Sequence, residues 1–290
     1  MDSVAELEDG ERRRLLAQFL RTRRERLAPE DVGLAAGARR RTPGLRREEV
    51  ALLAGMGASW YTSLEQGRDV HPSEQVLESL ARTLRLTADE RRYLFTLALR
   101  HEPTEAAPYD EELSPALLRL VESLDPHPAY IMGRRWDLLA WNRAAALVFS
   151  VDAPMPPHSR NMMWRIFTNP RLRAQNPDWE RVARYTVAQF RADYARYPGD
   201  PRFAALIADL HRACPEFSRW WSQHDVSGRP DCHKHMRHAT LGALDFEQVT
   251  MEPDTSPDLK IVILSAEPAT AATLQGYLKN EPSVASASSR

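Results

Sequence analysis

Cysteine is almost missing from this chain: only Cys214 and Cys232 occur in 290 residues. A disulfide framework is therefore excluded, and a reducing, cytoplasmic setting is expected. Lysine is nearly as scarce, with Lys234, Lys260 and Lys279 the only three; arginine carries the positive charge. No apolar run approaches the ~20 residues of a membrane span. The first ten residues are acidic rather than basic and apolar, so neither a signal peptide nor a membrane partner is expected. There is no P-loop, no G-x-G-x-x-G and no G-x-S-x-G elbow. Cys232, His233 and His235, with His238 and Cys214, look like metal ligands but lack the paired spacing of a zinc site. No metal, cofactor or catalytic residue is expected, and the chain does not read as an enzyme.

What remains is an ordinary globular composition, 43% hydrophobic and 27% charged, with room for about two domains. The formal net charge is only −1, but its distribution is uneven. Residues 12–68 hold thirteen arginines against six acids, a net of +7, which leaves −8 on the rest. A basic module is thus joined to an acidic body, and a basic module is the electrostatic footprint of a nucleic-acid partner.

The densest signals lie in residues 45–68, LRREEVALLAGMGASWYTSLEQGR. Leu45, Glu49, Leu52 and Leu53 recur at roughly helical spacing, and so do Trp60, Tyr61 and Leu64. Ala-Gly-Met-Gly separates the two segments, with Gly57 where a non-helical backbone is needed. This pattern predicts a helix-turn-helix with its recognition helix over residues 58–66.

Flanking elements complete a five-helix domain over residues 1–101. A first helix is expected over 11–27, with Leu15, Leu16, Phe19 and Leu20 inward. A basic loop over 37–44 follows, and it is suited to lie along phosphates. A fourth helix is expected over 73–86. Thr87 and Glu90 have capping-box spacing, which places a fifth from 87 to about 100. Residues 102–113 contain prolines and acids without periodicity and read as a linker.

Residues 114–290 read as a second domain. Ser114-Pro115 opens a helix. Strands are expected at 129–132 and 137–141, Asn142 caps a helix over 144–149, and helices follow over 161–167, 177–197 and 201–213. Two further strands, 240–251 and 259–265, are expected to pair, followed by a helix over 270–279. Strands at both ends with helices between them predict an α+β fold, so the chain as a whole is α+β and two-domain.

Several of these segments are recognisable. Residues 29–33 (PEDVG), 39–50 (RRRTPGLRREEV), 60–68 (WYTSLEQGR) and 73–92 resemble the MmyB-like branch of the Xre-type transcription regulators. The second half is similar through residues 139–143 (LAWNR), Arg160-Asn161, residues 178–180 (DWE), Asp200-Pro201, residues 215–217 (PEF) and 224–226 (HDV), with Lys234, His238 and Gly242 beyond. The resemblance covers about residues 11–280. It implies an Xre-type helix-turn-helix followed by a PAS-like domain that senses a small, fatty-acid-like molecule. One departure is Met56-Gly57, where many relatives carry Val-Ser. Gly loses the capping hydroxyl at the start of the recognition helix, at a cost of only a few tenths of a kcal/mol.

Roles follow from docking geometry. The leading turns of a recognition helix reach base edges, which nominates Ala58, Ser59, Thr62 and Ser63. Arg39, Arg40, Arg41, Arg46, Arg47 and Arg68 are expected at phosphates, while Glu65 is expected to fix the following turn by a local hydrogen bond. In the second domain Trp141 and Trp164 are candidates for a pocket wall, and Arg134, Arg160 and His224 for holding a ligand carboxylate. A double-stranded DNA operator, an apolar acidic ligand and a homodimer are the expected partners. The alternative is a helix-turn-helix protein whose second domain contacts protein and takes no ligand.

Overall fold

The computed structural model describes residues 2–34, 44–99, 113–197, 199–225, 233–253, 256 and 258–280. The linker reading at 102–113 therefore lies almost wholly outside the described residues, as do Arg39, Arg40, Arg41 and Cys232. The chain forms two compact units. The first gathers Met1–Glu105 with Val187–Ile207 and Ser218–Gly228; the second holds Ala106–Thr186, Ala208–Phe217 and Arg229–Arg290.

The first unit contains α1 (Asp2–Arg26), α2 (Arg47–Leu53), α3 (Ala58–Glu65), α4 (Glu74–Thr83) and α5 (Ala88–Ala98). Helix α1 packs on α3 and α5, α2 packs on α3 and α4, and α4 packs on α5. Leu15, Leu16, Phe19 and Leu20 of α1 are buried, as the spacing predicts. Phe19 meets Tyr93 of α5 edge-on at 5.1 Å. The Thr87–Glu90 capping box is where the sequence places it, and Ser73, read as the first residue of its helix, is the N-cap of α4. Ser73 Oγ accepts from Val76 N, and Thr87 and Glu90 exchange both capping-box bonds at 3.2 and 2.8 Å.

The α2–α3 region departs from expectation in two ways. Leu52 and Leu53 are 75% and 37% exposed, because the inward face of this short helix is Val50, Ala51 and Ala54 instead. The helical period was right, but its phase was set by smaller residues. Gly57 is extended (φ −70°), a conformation open to any residue, and it serves as the N-cap of α3 without a side-chain bond. The glycine the turn requires is Gly55, at φ +70°, where Met56 N–H bonds back to Ala51 O and closes α2.

The second unit holds α6 (Pro115–Ser123), β1 (Ala129–Met132), β2 (Leu138–Trp141), α7 (Arg143–Phe149), α8 (Met162–Thr168) and α9 (Pro170–Gln175). Helices α10 (Trp179–Tyr194), α11 (Pro201–Ala213) and α12 (Pro215–Ser222) follow, and parts of each belong to the first unit. Strands β3 (His233–His238), β4 (Gly242–Met251) and β5 (Lys260–Ala266) and helix α13 (Pro268–Asn280) complete the second. The five strands make one antiparallel sheet in the order β2-β1-β5-β4-β3. Both ends of the unit's chain thus contribute strands, as expected. The β4–β5 pairing is also as expected, with Met251 opposite Ile261 beside the turn. Strand β3 and helix α9 went unread. HKHMRH shows a single apolar residue, Met236, and a six-residue helix offers too little period to detect.

Helix α6 covers one sheet face, where Val121 packs with Ala129, Ile131, Leu259 and Ile261. Tyr130 points to the opposite face and meets Phe149 of α7 edge-on at 5.9 Å. Asn142 ties strand to helix. Its Oδ1 accepts from Ala129 N (3.0 Å) and Ala145 N (2.9 Å), and its Nδ2 donates to His127 O.

Candidate nucleic-acid interface and ligand-binding domain

The eight residues of α3 divide cleanly by burial. Tyr61, Leu64 and Glu65 are buried, Ala58 and Ser59 are exposed, and Thr62 and Ser63 are partly exposed. The four residues nominated for base contact therefore share one outward face. Trp60 is half-buried at the flank.

A buried ionic rivet holds α3 in that orientation. Glu65 accepts from Arg24 Nε at 2.6 Å and from Arg24 Nη2 at 2.9 Å, while Arg24 Nη1 donates to Leu45 O at 2.8 Å. Arg47 Nε donates to the same carboxylate at 2.8 Å. One side chain thus joins α1, the segment before α2, and α3. Burial alone would raise the Glu65 pKa, but the hydrogen bonds and charge of Arg24, with help from Arg47, hold it below the usual range. The expectation of a local bond from Glu65 to its own turn is corrected: its partners lie 41 and 18 residues away. Burial and two arginines select the long-range pair over a local turn. Gly44 makes the approach possible, since a Cβ there would stand 2.5 Å from the backbone of Arg24 and Glu25.

Not all of the basic excess is available to phosphates. Arg24 is committed to Glu65, and Arg23 pairs with Glu90 at 3.0 Å. Arg13 lies 3.4 Å from Asp69, and Arg14 and Arg12 bond to acids of their own helix. Arg46 and Arg68 are exposed and have no ion pair among the described residues. Arg47 is 39% exposed at the side chain despite its bond to Glu65.

The nominated ligand residues are not all brought together. Trp141 lies opposite Tyr130 in the β1–β2 register, and the Arg160 guanidinium sits 5.7 Å over the Trp141 ring. Arg134 is in the tight β1–β2 connection, and Arg160 O accepts from Leu138 N on the following strand. Trp164 is buried on α8, edge-on to His158 at 5.3 Å. His224 belongs to the first compact unit. Its Nδ1 accepts from Arg191 Nη1 at 3.1 Å, and its carbonyl accepts from Arg23. Burial, followed by the charges of Arg191 and Arg23, drives its pKa down to about 3. The ring is thus engaged by Arg191, and its lowered pKa leaves no positive charge there to offer a ligand carboxylate.

Strand alternation puts His235 and His238 on opposite faces, and His235 pairs with Asp245 at 2.5 Å. Among the described residues no group of three His, Cys, Asp or Glu side chains is placed to hold a metal, and no helix is long and apolar enough to cross a membrane.

Residues 15–94 match a helix-turn-helix domain, and residues 113–275 match the MmyB-like transcription regulator ligand binding domain. The chain belongs to the MmyB-like transcription regulators. No curated protein matches it. A DNA-binding helix-turn-helix joined to that ligand-binding domain makes this MmyB-like chain a transcription regulator, and both families are of regulators rather than enzymes.

Proposed function

We propose that this chain is a sequence-specific, Xre-type DNA-binding regulator whose PAS-like second domain senses a small apolar acid. The observation that carries the DNA half is the outward face of α3. Ala58, Ser59, Thr62 and Ser63 face out, fixed from behind by the Arg24–Glu65 pair. Hydroxyls bond to donors or acceptors alike, and Ala suits a thymine methyl, so these residues discriminate softly. Dimer spacing supplies the rest. A homodimer reads two half-sites about 34 Å apart. Arg46, Arg47 and Arg68, with Arg39, Arg40 and Arg41 from the basic loop, neutralise phosphates. In the second domain Trp141, Trp164, Arg134 and Arg160 meet the ligand. The reading places the protein in the cytoplasm, with residues 1–101 and 114–290 as its domains.

The test is fluorescence anisotropy with a duplex from upstream of the protein's own gene and a random duplex of equal length, over a salt series. The upstream duplex is expected to bind more tightly, and equal affinity would overturn sequence specificity. Arg47→Ala is expected to weaken both alike and to lower the salt slope by about one unit. Loss confined to the upstream duplex would take Arg47 out of phosphate contact. Light scattering should give a dimer; a monomer with and without DNA would remove the paired half-sites.

A further inference from the structure

Helix α6 covers only part of the sheet face on which it lies. It packs on β1 and β2 and reaches Ile261 of β5 through Val121. The same face continues across β5 to β4 and β3. Ile263 of β5 stands opposite Ala129 of β1 on one side and Val249 of β4 on the other, and Met251 of β4 stands opposite Ile261. Side chains alternate along a strand, so Glu247, Val249 and Met251 share this face with His233, His235 and Arg237 of β3. All six are exposed, whereas Met236, Leu244 and Phe246 at alternate positions are buried. One half of the face is thus covered by α6, and the half formed by β4 and β3 is open to solvent.

Two of the open side chains are large and apolar, Val249 at 44% and Met251 at 42% exposure. Helix α6 has a matching defect. It turns Leu117, Val121 and Leu124 to its own sheet, and its other side shows Leu120 at 43% exposure beside Arg119 and Glu122. Apolar area left in water on both surfaces is stabilising once one covers the other. A helix about 10 Å wide spans about two strands spaced about 4.8 Å apart, so the open half has the width of a second α6. Charge points to the same occupant. The open strands carry both signs in Arg237 and Glu247, and the helix carries both in Arg119 and Glu122. Surfaces of mixed sign suit a copy of the same chain, which meets them reciprocally, rather than a partner of one sign such as nucleic acid.

We propose that the α6 of a second copy lies on β4 and β3, and that the contact is reciprocal about a two-fold axis parallel to β5. Leu120 of each copy then covers the partner's Val249 and Met251. This rests on the homodimer reading above and supplies it with an interface.

The test is sedimentation velocity on the full chain, using wild type, Leu120→Glu, Val249→Lys and, as a control on the exposed face of α2, Leu52→Ser. Each of the first two is expected to raise the dimer dissociation constant about a hundredfold, because it buries an uncompensated charge in an apolar contact. Both positions are exposed, so far-UV circular dichroism of each variant should match wild type. Mixing the two should restore a dimer, since the new charges then face each other across one contact while the second contact stays native. Single variants that remain dimeric, or a monomer produced only by Leu52→Ser, would overturn the interface and leave the homodimer standing. Monomeric variants that do not associate when mixed would overturn the contact of α6 with the partner's sheet. A monomeric wild type, with and without DNA, would remove the homodimer reading and this proposal together.

Discussion

Glu65→Ala should destabilise the helix-turn-helix unit by about 3–5 kcal/mol, the usual cost of removing one partner from a buried pair. Glu65 is fully buried at the side chain and Arg24 is 8% exposed, so the substitution strands a guanidinium out of water. Arg24→Ala should cost nearly as much. Arg47→Ala should cost much less, since Glu65 keeps both bonds to Arg24. Urea denaturation of the full chain, followed by far-UV circular dichroism of its helices, measures all three. A Glu65→Ala protein within about 1 kcal/mol of wild type would mean that the pair does not hold α3. Acid should act through the same group. The folded-state pKa of Glu65 lies below its ordinary value, so its contribution is complete above about pH 4.3. It is lost as pH falls through the folded-state value, and operator binding should fail with it.

That rivet marks where reading the sequence stops. The caps at Thr87, Ser114 and Asn142 were legible because a cap and its helix are neighbours in the chain. The outward face of α3 was legible for the same reason: eight residues are enough to separate a buried from an exposed side. Arg24 and Glu65 have no such local signature. Arg24 reads as one more basic residue in a basic helix, and only the fold shows that it faces inward. The phase of α2 is hidden because Leu52 and Leu53 outweigh Val50, Ala51 and Ala54 in hydrophobicity, yet it is the smaller residues that are buried. In the ligand-binding domain β3 was hidden by its composition.

The same contrast between local and distant partners predicts the largest effect in the second unit. Arg165→Ala should cost about 4 kcal/mol, and Arg165→Lys should recover little of it. Arg165 is fully buried on α8, yet it has no carboxylate in ion-pair contact among the described residues. Burial pulls its pKa down, and the charge of Asp152 opposes that only in part. The compensation comes from carbonyl dipoles. Nη1 donates to Ala153 O at 3.1 Å and Ser159 O at 2.8 Å, while Nη2 donates to Phe149 O at 3.4 Å and to Ser150 O. Two of these acceptors end α7, where unsatisfied carbonyls carry the negative end of the helix dipole. An apolar replacement cannot settle the site, as it often can for a buried ion pair, because the backbone carbonyls remain after the side chain is gone. Lysine brings the charge but not the planar fork that spans both pairs of acceptors. Urea denaturation read by tryptophan fluorescence should show Arg165→Lys close to Arg165→Ala. Near-wild-type stability in the lysine variant would show that charge alone, rather than the fork, holds the end of α7.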